Sequence, residues 1–107
     1  MSTETKTCVV FTTCPTEDDA QTLARALVEA NLAACVQITG IVSYYRWKGA
    51  VNRDQECLLL IKTRCSRYGA VEEFIRKHHG YEVPEIIRMA IDGGLPEYLN
   101  WIYETCG

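Results

Sequence analysis

The chain has 107 residues, a formal net charge of −3 and 48% hydrophobic residues. That length supports one core and not two, so a single domain over residues 1–107 is expected, and the apolar content argues against a disordered chain. The acidic balance argues against binding nucleic acid, which needs clustered Lys and Arg, and no run approaches the roughly 18 apolar residues of a membrane span.

The polar start Met-Ser-Thr-Glu-Thr-Lys has no signal-peptide apolar core, so a cytoplasmic location is expected. Residues 7–13 are β-branched and aromatic and stop at Cys14-Pro15, which predicts a strand of five or six residues. Thr16 then offers an N-cap, and Glu17, Asp18 and Asp19 place negative charge where the helix dipole favours it. Apolar residues at Ala20, Leu23, Ala24, Leu27 and Val28 follow the helical spacing, and the helix is expected to run to Asn31 or Ala33.

Val36 to Trp47 reads as a long strand with a bulge or bend at Gly40. Lys48-Gly49 marks a turn, and Cys57 to Thr63 is the returning strand. The hairpin tip around residues 46–54 carries aromatic residues that a small domain cannot bury by itself, which predicts packing on another subunit. Ser66 is the next expected N-cap, and Val71, Phe74, Ile75 and His78 form a second helical stripe. Glu85 to Ile91 reads as a strand, Asp92-Gly93-Gly94 as a turn and Leu95 to Thr105 as a closing helix, with Leu95, Tyr98, Leu99 and Ile102 as its buried face. The order β-α-β-β-α-β plus a helix is the ferredoxin-like α+β arrangement, with two helices on one sheet face and the other face uncovered by this chain.

The chemistry is concentrated in Lys77 to Glu85, Lys-His-His-Gly-Tyr-Glu-Val-Pro-Glu, which holds both histidines. These groups can ligate a metal or anchor a polar ligand; alternatively the histidines only end a helix, with Gly80 as a left-handed cap. Six cysteines, at 8, 14, 35, 57, 65 and 106, show no C-x-x-C spacing, so reduced thiols filling the core are expected. No nucleophile elbow, phosphate loop or dinucleotide glycine pattern is present, so the chain is not read as an enzyme and no catalytic residues are assigned.

Four separated motifs resemble the CutA family of divalent-cation tolerance proteins: Leu32-Ala33-Ala34-Cys35, Tyr45-Arg46-Trp47-Lys48-Gly49, Glu56 with Ile61-Lys62-Thr63, and His79 through Glu85. The resemblance implies a homotrimer with an architecture similar to the PII signalling proteins, binding copper or another divalent cation. It implies His78 and His79 as metal ligands. The family's strand cysteine falls at Thr12 here, and Cys14, two residues on and on the same strand face, is the replacement candidate. Adjacent helical histidines point about 100° apart, so joint binding would require the helix to end there or a ligand from another subunit. Intersubunit clefts lined by Trp47, Glu56, Lys62, Tyr81 and Glu85 would suit a small-molecule ligand. The alternative is structural, with Lys62 pairing Glu56 or Glu85 and Trp47 packing between subunits.

Overall fold

The computed structural model describes residues 6–107. Four strands and three α-helices follow in the order β1 (Thr7–Cys14), α1 (Glu17–Glu29), β2 (Cys35–Trp47), β3 (Ala50–Arg64), α2 (Tyr68–His78), β4 (Ile86–Ala90) and α3 (Pro96–Thr105). The strands form one antiparallel sheet in the order β2-β3-β1-β4. This is the ferredoxin-like α+β arrangement, with α3 appended.

Side chains alternate across a strand, so the register sorts the sheet into two faces. Cys8, Val10 and Cys14 of β1 share one face with Leu59 and Ile61 of β3, and there they form the core with Ala20, Leu23 and Leu27 of α1 and Val71 and Ile75 of α2. The opposite face carries Val9 and Phe11 opposite Lys62 and Leu60, and Met89 and Ile87 of β4, which are 58% and 51% exposed. Helix α3 covers that face only at one end. There Lys62 Nζ donates to Tyr98 Oη at 3.1 Å, and the Arg64 guanidinium stacks 3.8 Å from the centre of the Tyr103 ring.

Local signals account for the element ends. Thr16 Oγ1 accepts from the Asp19 N–H at 3.1 Å, as expected of the cap. Helix α1 ends in a Schellman motif: Asn31 has φ +58°, its N–H donates to Val28 O and the Leu32 N–H donates to Leu27 O. Lys48 and Gly49, at φ +51° and +78°, make the two-residue hairpin turn that right-handed strand twist favours.

Several sequence expectations are corrected. Strand β1 has 8 residues and takes in Cys14, and β3 starts at Ala50 because the tight turn lets pairing begin at Trp47↔Ala50. The ladder runs unbroken through Gly40↔Cys57, so there is no bulge. Ser66 lies inside a 3₁₀ turn (Cys65–Arg67), and α2 starts after it without a side-chain cap. His79 is extended at φ −94° and Gly80 is not left-handed, so the turn is no αL cap. Leu95 is the N-cap of α3 and 65% exposed, leaving Ile102 as the fully buried residue of that helix.

Beyond Glu56, the β2–β3 hairpin has no third strand, because β1 pairs with β3 only from Cys57 onward. That arm gives the molecule its 49 Å length against 27 and 22 Å in the other directions, and it leaves Tyr44, Trp47 and Val51 exposed. At the centre of the sheet, Thr12 is fully buried and its hydroxyl has no hydrogen-bond partner. An unmet buried hydroxyl costs about 1–3 kcal/mol, so Thr12→Val should raise the thermal unfolding midpoint measured by calorimetry, whereas a lowered midpoint would mean that the hydroxyl is satisfied.

Candidate functional site

The end of β1, the start of α1 and the end of α2 surround a cleft of about 300 Å³. Cys14 and Asp19 line it together with His78 and His79, which lie far from them in sequence. Asp19 is there because the cap at Thr16 turns the first helical turn over the end of β1, and the sequence suggested only a dipole role for it.

Helix α2 does end at His78, so the two imidazoles leave the helix in different directions and do different things. His78 stacks on Phe74 with ring centres 4.2 Å apart, and its Nδ1–H donates to the Phe74 carbonyl at 2.8 Å. A proton on Nδ1 leaves Nε2 with a lone pair available to a cation. His79 folds back under the sheet. Its Nε2–H donates to the Thr13 carbonyl at 2.5 Å, and its Nδ1 accepts the Tyr81 N–H at 3.0 Å. Donating from one nitrogen and accepting at the other requires the neutral ring, and both nitrogens are occupied.

Cys14 is 3% exposed, and its thiol is pushed up to about 11, chiefly by burial and then by the Asp19 carboxylate, Cys57 and Glu56. A cation would therefore have to displace its proton. Among the described residues, no three His, Cys, Asp or Glu side chains stand close enough to hold a metal ion. The donor set of the cleft suits a soft or borderline cation at two points, Cys14 Sγ and His78 Nε2, and reaching His79 would mean breaking one of its two hydrogen bonds.

The second group of candidates is strung along the open sheet face. Trp47 stands opposite Ala50, and six residues separate Ala50 from Glu56 and Glu56 from Lys62, about 20 Å for each step at strand rise. Within one chain these residues do not converge. Tyr81 does meet Glu56, donating from its hydroxyl at 3.5 Å, and its phenol is raised by burial and then by the Glu56 carboxylate. Tyr45 donates to Asp54, a bond that raises its phenol too. Lys62 turns to Tyr98 and not to Glu56 or Glu85, since Glu56 lies too far along the strand. Glu85 is exposed just before β4.

The hydrogen bonds assign opposite tautomers to neighbouring histidines. In ¹⁵N-resolved NMR of the metal-free protein, His78 should appear as the Nδ1–H form and His79 as the Nε2–H form; the same tautomer at both would contradict this geometry.

Comparison with known proteins matches this architecture. The model of the family described as CutA1 divalent ion tolerance protein matches residues 8–105. The divalent-cation tolerance protein CutA of Thermus thermophilus is 48% identical over 100 residues, covering 92% of this chain and 97% of that protein. Mouse Protein CutA is 47% identical over 96 residues, covering 89% of this chain but only 54% of the mouse protein's length. The solved T. thermophilus Cut A1 structure superposes with a TM-score of 0.91 at 47% identity, covering 94% of this chain and 99% of that one. A structure described as the periplasmic divalent cation tolerance protein CutA of Archaeoglobus fulgidus gives 0.92 at 34% identity with the same coverage. By the match over residues 8–105 and these identities, the chain belongs to the CutA1 divalent ion tolerance family.

Proposed function

We propose that this chain is a homotrimeric divalent-cation binding and tolerance protein of the cytoplasm, with copper as the cation its donors suit best. The observation that carries the reading is the cleft lined by Cys14, His78 and Asp19, where the Nδ1–H of His78 is held by the Phe74 carbonyl and its Nε2 is left to accept a cation. A thiolate with an imidazole is soft enough for Cu(I) and adequate for Cu(II). His79 acts first as the brace that ties the turn after α2 to the end of β1, and it joins the cation only by giving up a hydrogen bond. The six cysteines are all unpaired, which fits a reducing compartment. No helix among the described residues is long and apolar enough to cross a membrane. The role is binding, not catalysis.

The trimer reading rests on the two-stranded arm. A bare hairpin is marginal in water, and Trp47, at 62% exposure, needs the surface of another copy. A second reading, PII-like binding of a small-molecule ligand, is favoured by the cleft of about 440 Å³ beside Glu56 and by the Tyr81–Glu56 contact at its margin. Assembly would bring Trp47 or Lys62 of another copy to that cleft.

Native mass spectrometry under reducing conditions tests the first reading. A trimer that takes up three copper ions in discrete steps, with uptake lost in the double variant His78→Ala/His79→Ala, is expected. A monomer would remove the trimer, and unchanged uptake in the double variant would remove the histidine cleft. Thermal-shift screening with nucleotides tests the second reading, since a bound ligand raises stability by RT ln(1 + [L]/Kd).

A further inference from the structure

Cys14 and Cys57 are direct partners, the last pair of the β1–β3 ladder. Cross-strand partners lie on the same face with Cβ atoms about 4.5–5.5 Å apart. Here that face is the helix side: Cys14 belongs to the core beneath α1, and Cys57 packs against it. Thiols carried on Cβ atoms this close can bring their sulfurs to one ion, because a two-coordinate unit spans about twice a metal–sulfur bond of ~2.3 Å.

Access comes from the other neighbouring strand. The β2 residue paired with Cys57 is Gly40, and a Cβ placed there would meet nothing within 4 Å. The space beside Gly40 is open, and Cys57 itself lines the cleft of about 440 Å³ there, together with Gly40, Gln55 and Glu56. Cys14 lines the cleft on the other side, and Pro15 borders both. The thiol pair therefore stands between two openings. The carboxylates of Asp19 and Glu56, both felt at the Cys14 sulfur, make this end of the sheet negative and draw a cation towards it.

We infer that Cys14 and Cys57 together form a dithiol site for a soft, thiophilic monovalent cation of the Cu(I) type. The inference rests on the cation-binding reading above and adds a ligand, Cys57, that neither the histidine cleft nor the family resemblance contains. On binding, each thiol loses its proton to solvent and each sulfur forms one bond to the ion. Two protons leave for one cation, and no electron is transferred.

The test is copper-edge X-ray absorption on the full-length protein loaded with Cu(I) under a reductant, with retention measured against the chelator bicinchoninate. The wild-type protein should show two sulfur neighbours. Cys57→Ser and Cys57→Ala should each show one, with retention weakened more than tenfold, since loss of even an outer-shell partner costs about 10–100-fold. Two substitutions, each checked by circular dichroism, separate loss of a ligand from loss of the fold. Should both variants keep wild-type retention and sulfur count, the dithiol is overturned. If in that case His78→Ala alone releases the ion, the histidine cleft stands without Cys57. If the Cys57 variants fail to retain copper while His78→Ala retains it, the dithiol stands and the histidine cleft falls. A wild-type protein that takes up no Cu(I) overturns both.

Discussion

Strand β3 is hydrogen-bonded on both sides from Cys57 to Lys62, and that double pairing is the constraint from which the rest follows. A strand held between two neighbours cannot slip by one residue without turning every side chain over. Leu59 and Ile61 are thereby committed to the helices and are fully buried, while Leu58, Leu60 and Lys62 are committed to the open face. The same register sets Cys57 beside Cys14 and beside Gly40. Where the double pairing stops, the arm begins, with its polar and aromatic residues exposed and only one partner strand to hold it.

The cleft depends on a second tie. Thr13 lies within β1, but its carbonyl is bound by a side chain from beyond α2, that of His79. This fixes the turn after α2 against the end of β1 and leaves His78 on the last helical turn, at the lining of the cleft. The two histidines divide the work, one holding the backbone and one presenting a lone pair. The raised Cys14 thiol adds a threshold. With the thiol pushed up to about 11, chiefly by burial and then by Asp19, Cys57 and Glu56, a cation that bonds the sulfur must displace a proton held more tightly than at an ordinary cysteine.

Much of the fold was legible because each element carried its own local signal. The Thr16 cap, the α1 stripe, the Lys48-Gly49 turn and the α2 stripe all lie where short-range chemistry puts them. Of the bulge or bend expected at Gly40, the bulge is absent, because a glycine in a strand also fits an unbroken ladder and only the pairing across it, here with Cys57, tells the two apart. Ser66 resembled a cap, but a 3₁₀ turn took the residue. The cleft that Cys14, His78 and Asp19 line was only half legible, since it needs the α1–β1 corner and the end of α2 in one place. Lys62 bonds Tyr98 within its own chain, a partner 36 residues away that no local pattern announces, while the expected pairing with Glu56 or Glu85 was one between subunits. Cys57 does pack against the core as expected, but its pairing with Cys14 is set by register, which composition does not reveal.

The account stands on a cation entering at the end of β1, between α1 and α2. The most direct measurement is a crystal of the reduced protein soaked with copper and recorded at wavelengths on either side of the copper absorption edge. The account predicts one anomalous peak per chain within bonding distance of Cys14 Sγ, bridged to His78 or to Cys57. A peak confined to other residues, or none at full soak, would contradict it.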